Sequence, residues 1–330
     1  MKLHLLRWSL RVKRAALSVV DIIAAAGVRL LFAFARLLGP ERAGNLGAWL
    51  TRTLGPLFPA HRTALANVRA AFPGIEESEA QRIVRGAWDN LGRTASEYAH
   101  LNEIFDYDPE NPDAGRIEVV GIPYFDALRD DGRPGIIFSG HFANWELPAI
   151  CAARFGLDAT AVFRAPNAVA VARLVHEVRS QTMGGLEAAR AGAAFAMQGV
   201  LERNGHLGML IDQHFTRGVI VDFLGRPALT NPILGKFAKR FDCPVHGVRV
   251  IRLPGNRFRL ELTPPLDLPR DENGEIDVKG AMQAMSSVVE GWVREHPEQW
   301  LWMHRRWRPQ FTGEKVGNVA AADEKPHPPA

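Results

Sequence analysis

GIIFSGHFANWELP, residues 135–148, decides the fold class of this 330-residue chain. Ile136-Ile137-Phe138 is a short apolar run between Gly135 and Gly140, which reads as a strand buried on both faces. Ser139-Gly140-His141 is then its exit loop, and Asn144 is a candidate N-cap for a helix entering at Trp145. Pro148 fits the first turn of that helix, where a missing N–H removes no bond. Strand, tight turn and helix in succession form the unit of an α/β fold, and open α/β sheets place ligands beyond the carboxyl ends of their strands. His141 and Glu146 fall at such an end. Five residues along a helix turn by about 500°, so the two side chains meet only if His141 lies outside the helix and folds back over its first turn.

Outward from this stretch the same alternation recurs. Ile117–Val120, Thr160–Phe163, Leu207–Ile211, Val245–Leu253 and Phe258–Thr263 are further strand candidates, the last two joined at Pro254-Gly255-Asn256 as a hairpin. Helical patterns intervene at Phe125–Arg129, Glu146–Phe155, Ala168–Met183 and Ala188–Arg203, with a last one from Gly280 to His296. The expected architecture is a mostly parallel sheet flanked by helices. From Arg42 to His100 the spacing is that of several short helices broken at Gly55-Pro56, Pro59 and Phe72-Pro73-Gly74. No internal repeat is present. The domain organisation expected is a membrane-associating helix over 1–40, one catalytic domain over 41–312, and a disordered, small and polar tail over 313–330.

Apolar residues make up 47% and charged residues 23% of the chain, which excludes a disordered protein. Two cysteines give no disulfide framework and point to a reducing compartment. A net charge of +4 suits nucleic acid, an anionic membrane or an acidic protein, so its distribution matters more than its size. Lys2, Arg7, Arg11, Lys13 and Arg14 precede the first acid, Asp21, and an apolar stretch runs from Ala15 to Leu38. Asp21 interrupts the core that a signal peptide needs, and Asp21, Arg29 and Arg36 each oppose a membrane span by roughly 2.5–3.5 kcal/mol. On a helical wheel Arg7, Arg11, Arg14, Ser18, Asp21, Arg29 and Arg36 share an arc of roughly 80°. A wide apolar face beside a basic stripe predicts a helix lying on an anionic membrane surface. The plainer alternative is a helix packed on the domain with its stripe in solvent.

A carboxylate on one ring nitrogen of His141 fixes its tautomer and makes the other nitrogen a general base. Glu146 is one candidate for that carboxylate and Asp212, in Asp212-Gln213-His214 after the Leu207–Ile211 strand, is another. Arg164, in Arg164-Ala-Pro-Asn167 after a third strand, is a candidate to hold an anion or oxyanion. No G-x-S-x-G elbow is present, and neither Cys151 nor Cys243 has the setting of a nucleophile. A base without an enzyme-borne nucleophile suggests direct transfer to a bound alcohol. His141, Glu146, Asp212 and His214 lack tight zinc spacings, so no metal is expected.

These residues resemble the late, lauroyl-type lipid A biosynthesis acyltransferases of Gram-negative bacteria. Gly140-His-Phe-Ala-Asn-Trp-Glu146 is similar to that family's H-x4-D/E motif, and Phe163-Arg-Ala-Pro-Asn167, Ile211-Asp-Gln-His214, Phe223-Leu-Gly-Arg226 and His296–Trp307 follow in its order. The resemblance implies transfer of a fatty acyl group from acyl carrier protein thioester to the hydroxyl of a 3-hydroxyacyl chain on a Kdo-bearing lipid A precursor, at the cytoplasmic face of the inner membrane and without a cofactor. It implies His141, Glu146 and Asp212 as catalytic residues, and Arg164, Asn167 and Gln213 toward the substrate or oxyanion. Ala143 and Trp300 depart from the family's frequent glycine and tyrosine. Trp300–Trp307, with its interleaved arginines, suits a core edge; beside the other motifs, Arg305, Arg306 and Arg308 become candidate contacts for lipid phosphates or the carrier protein. Two other functions compete: an acyltransferase of the same superfamily acting on a phosphoinositol mannoside or aminolipid, and a non-enzymatic binder of anionic polymers, which would tolerate loss of His141. Nucleic acid is not an expected partner.

Overall fold

The computed structural model describes residue 24 and residues 26–165, 169–190 and 192–307. The expectations for residues 1–23 and for the 313–330 tail, and the site candidates Asn167 and Arg308, lie outside the described residues.

An N-terminal helical layer comes first: α1 (26–38), α2 (Pro40–Leu54), α3 (Pro59–Ala71), α4 (Glu77–Glu97) and the short α5 (Leu101–Ile104). Prolines at the first turns of α2 and α3 mark the breaks that the sequence announces. The α/β body follows as β1 (Ile117–Val120), α6 (Ile122–Asp130), β2 (Gly135–Ser139), α7 (Leu147–Arg154), β3 (Ala159–Phe163), α8 (Val169–Thr182), β4 (Gly185–Ala188), α9 (Ala193–Glu202) and β5 (His206–Leu210). A small hairpin of β6 (Val219–Phe223) and β7 (Arg226–Thr230) and helix α10 (Ile233–Phe241) precede β8 (Val245–Leu253), β9 (Arg257–Leu262) and α11 (Val278–Glu295). Asp277 caps α11 by accepting from the backbone N–H groups of Lys279 and Gly280.

The main sheet has seven strands in the order β1-β9-β8-β2-β5-β3-β4. All its pairings are parallel except β8 with β9, the hairpin turned by Gly255 and Asn256 at positive φ. β2 lies at the centre, between β8 and β5, which is why its sequence is apolar without alternation. Ile136 and Phe138 enter the large core with α3, α4, α9 and α11, while Ile137 and Ser139 face the layer formed by α7 and α8.

Two elements differ from expectation. β4 occupies 185–188, so the next helix starts at Ala193 rather than Ala188. The β6–β7 hairpin turns through Leu224 and Gly225, which carry positive φ angles. Among the described residues no helix is long and apolar enough to cross a membrane. In the described part of the N-terminal helix Arg36 donates to the Ala99 carbonyl over 3.1 Å and Arg29 lies 3.9 Å from Glu177, both side chains remaining exposed, and Leu30, Leu31, Phe34 and Leu37 are exposed as well.

Candidate active site

β2 and β5 are register neighbours, Ser139 opposite Leu210, so the loops that leave them emerge side by side. His141 leaves β2 and Asp212 leaves β5, and this adjacency brings them together across 71 positions of sequence. His141 Nδ1 lies 2.7 Å from Asp212 Oδ1, and the His141 backbone N–H donates to Asp212 Oδ2 over 2.7 Å. An ionised carboxylate only accepts, so Nδ1 carries the proton and Nε2 is left as the basic nitrogen. The amide of Gln213 lies 3.1 Å from Nε2. Burial pushes the Asp212 carboxyl up, but the facing imidazole and the hydrogen bonds from His141 and Trp300 outweigh it and hold the group at about 2.

The turn that presents His141 is tight. A Cβ on Gly140 would meet the Phe142 ring at 3.0 Å and Asp212 Oδ2 at 3.1 Å. Ala143 has a φ of 42°, in the left-handed region that costs an alanine about 1–2 kcal/mol, which gives a local reason for glycine at this position. Its neighbours hold it there: its carbonyl accepts from Thr94 Oγ1 and Asn90 Nδ2, and its N–H donates to the Gln299 carbonyl. Asn144 is not the helix cap. Its Oδ1 accepts from the Glu146 N–H within the turn, its Nδ2 donates to the buried Glu97, and α7 begins at Leu147.

Glu146 does not meet His141. The Trp145 ring stands beside the imidazole, 5.2 Å between centroids, and Glu146 turns the other way. There it accepts from Arg179 of α8, at 2.9 Å from Nε and 2.6 Å from Nη2, and from the Tyr98 hydroxyl. Glu146 is 4% exposed, so the ion pair is largely dry. Burial would lower the Arg179 pKa, yet the Glu146 charge raises it overall, and burial with the same charge raises that of Tyr98. Of the two candidate carboxylates, Asp212 is the one within hydrogen-bonding reach of the imidazole.

Two spaces meet at this point. An apolar cavity lies between the sheet and α7–α8, lined by Ile137, Ala149, Ala161, Met183, Leu186 and Val248 among others, together with Glu146 and Arg179. A wider, more polar cleft is lined by His141, Arg164, Gln213, His214 and Asn231. Trp145, Val162, Phe163, Arg179, Met209 and Leu210 line both, so the imidazole stands where a hydrocarbon slot opens into a polar cleft.

The other sequence candidates separate. Arg164 is exposed on the cleft wall, and Arg305 is exposed on the C-terminal segment. Arg306 is 1% exposed, which corrects its expected contact with lipid phosphate or carrier protein. Its guanidinium is spent on the protein, donating to the Gln213 and Leu229 carbonyls and to Thr230 Oγ1, and burial lowers its pKa to about 10. Burial pushes the Cys151 thiol to about 12 and Cys243 to about 11, which leaves neither as a nucleophile. Sequence reasoning missed Tyr98, Glu97, Arg179 and Arg252. Arg252 bridges Glu97 and Asn90 behind the His141 loop, and none of the four stands near a motif in sequence.

The family model for bacterial lipid A biosynthesis acyltransferases matches residues 11–309. The chain is 25% identical over 265 residues to the lipid A biosynthesis myristoyltransferase of Escherichia coli, covering 77% of each chain. It is 24% identical over 264 residues to lipid A biosynthesis acyltransferase 2 of Shigella flexneri, covering 78% of this chain and 80% of that one. A lipid A biosynthesis acyltransferase of Haemophilus influenzae is 24% identical over 287 residues, 84% of each. With a match that spans the helical layer, the sheet and the C-terminal segment, the chain belongs to the bacterial lipid A biosynthesis acyltransferase family.

Proposed function

We propose that the protein transfers a fatty acyl group from an acyl carrier protein thioester to the hydroxyl of a 3-hydroxyacyl chain on a Kdo-bearing lipid A precursor, with His141 as general base. The observation that carries this is the position of the His141–Asp212 pair at the junction of an apolar slot and a polar cleft. The slot suits the acyl chain and the cleft the sugar-phosphate head and the thioester arm. His141 Nε2 takes the proton of the acceptor hydroxyl as its oxygen attacks the thioester carbon; the new C–O bond forms and a tetrahedral oxyanion results. Collapse breaks the C–S bond, and the proton on Nε2 passes to the leaving thiolate. Asp212 keeps the imidazole in one tautomer and stabilises the imidazolium between the two transfers.

The oxyanion needs donors, and Gln213 Nε2 is nearest to the base, with Arg164 on the cleft wall. Glu146 acts through Arg179. It holds the guanidinium at the mouth of the slot, where Nη1 takes no acceptor among the described residues and is free for a thioester or phosphate oxygen. Attachment to the anionic inner face of the membrane is supported by Leu30, Leu31, Phe34 and Leu37 on α1 and by Trp49, Leu50, Leu54, Leu57 and Phe58 at the end of α2 and the turn after it, all exposed. The test is a donor and acceptor matrix: acyl carrier protein against coenzyme A thioesters, and lipid A precursors with and without Kdo. Product chiefly from carrier-protein donor and Kdo-bearing acceptor is expected; equal rates with every acceptor lipid would contradict the assignment.

A further inference from the structure

Residues 299–307 lie against the loops that leave β2 and β5, and three consecutive residues after β5 each share a hydrogen bond with this segment. Trp300 Nε1 donates to Asp212 Oδ2 over 2.7 Å, Arg306 Nη1 donates to the Gln213 carbonyl over 3.0 Å, and His304 Nε2 accepts from the His214 N–H over 3.0 Å. An isolated antiparallel bridge, Phe142 with Trp300, and a bond from the Leu301 N–H to the His141 carbonyl tie the same segment to the base's own loop. Asn67 of α3 fixes the segment from behind through the Trp302 and His304 carbonyls.

One of these bonds reaches the reacting machinery. Asp212 accepts three: Nδ1 of His141 on Oδ1, and the His141 N–H together with the Trp300 indole on Oδ2. Trp300 is 2% exposed and Asp212 3%, so water does not replace a lost donor there. With Oδ2 held by two N–H groups, Oδ1 is the oxygen left to face the imidazole. We propose that Trp300 is a positioning residue for the transfer: its indole N–H fixes the Asp212 carboxylate, which in turn fixes His141. The inference rests on His141 being the base. The competing role for Trp300 is packing alone, since its ring also lies 4.7 Å from Trp302 and 5.7 Å from Phe223 between centroids.

The charged and titratable groups around Asp212 are His141 from the β2 exit, its neighbour His214, and His304 and Arg306 from the C-terminal segment. Arg306 is bound to carbonyls and a hydroxyl, so the indole and His141 are the groups that donate to the carboxylate. Without the indole N–H the carboxylate acts more strongly on the imidazolium, and the coupled pair gives up its proton at higher pH.

Two replacements separate the roles. Trp300→Phe removes the donor, and β-(3-benzothienyl)alanine at position 300 removes only the N–H while keeping the bicyclic volume. Both are expected to lower kcat by roughly 10- to 100-fold, as loss of a hydrogen bond to a charged group does, with KM within about twofold. The acid limb of the pH profile of kcat/KM is expected to move up by roughly one unit. Phe223→Leu, which strips a ring from the same tryptophan without touching the N–H, is expected to lower thermal stability and leave that limb in place. Wild-type kcat and limb in the benzothienyl variant, or an equal movement of the limb in Phe223→Leu, would overturn the proposal. His141→Ala run beside them distinguishes the two levels: full activity there would remove the base itself, whereas an inactive His141→Ala with an unchanged benzothienyl variant removes only the role of Trp300.

Discussion

At the scale of single residues, the two carboxylates near His141 do different work, and burial makes the difference testable. Asp212 touches the imidazole; Glu146 is committed to Arg179 and Tyr98. Glu146→Gln leaves Arg179 largely buried without its counter-charge, a change that typically costs about 3–5 kcal/mol when the pair is fully buried and less at this partly exposed guanidinium. It is expected to lower both the unfolding midpoint and kcat while leaving the acid limb of the pH profile unmoved. A shifted limb in the Glu146→Gln profile would mean that Glu146 and not Asp212 governs the base. The histidine and both carboxylates were legible from sequence because each follows a strand or opens a helix. Their pairing was not, since it depends on β2 and β5 being neighbours, and a spacing of 71 residues carries no trace of that.

At the scale of elements, the largely buried strands β2 and β8 read directly, and so does the edge strand β1, an apolar run closed by Gly121; all three occupy the expected residues. β4 was hidden because Gly185–Ala188 is a partly exposed edge strand whose composition continues the neighbouring helical patterns. The β6–β7 hairpin was hidden because its turn, Leu224-Gly225, carries left-handed backbone angles without an Asn-Gly or Asp-Gly signal. The C-terminal segment reads as a core edge whose arginines reach outward, and folding places Trp302 and Trp307 inside but takes Arg306 in with them. Elements α1 and α2 leave large apolar residues in the open, on α1 along the apolar face that its sequence shows and on α2 without such a signal. Trp49→Asp together with Leu57→Glu is expected to reduce co-sedimentation of the full chain with anionic phospholipid vesicles by tenfold or more, since each buried large side chain contributes about 1.5–3 kcal/mol. Undiminished vesicle binding in a folded double variant would place the membrane contact elsewhere.

At the scale of the whole molecule, the sheet order β1-β9-β8-β2-β5-β3-β4 is what the sequence could not disclose, although it did disclose a mostly parallel sheet with helices around it. The resemblance of the motifs to lipid A acyltransferases fixed the family before the topology, because the motifs sit on loops after strands whatever the strand order. A global consequence follows from the histidines folded inside. Burial lowers the pKa of His246, and burial brings His304 to about 4, against 6.5 when exposed. The unfolded chain therefore binds more protons than the folded one between those values, and stability falls as pH drops from 6.5 toward 4. The unfolding midpoint is expected to decline through that window at constant ionic strength; a flat midpoint from pH 7 to pH 4.5 would mean that these imidazoles are protonated in the folded protein.

The central claim is that His141 is the base for acyl transfer at the mouth of the apolar slot. The most direct measurement is transfer of a labelled acyl group from acyl carrier protein to a Kdo-bearing lipid A precursor in detergent micelles, comparing wild type with His141→Ala across several acyl lengths. Product from the wild type and a loss of at least about 100-fold in a folded His141→Ala protein is the predicted result. Equal product from the two proteins would contradict the account.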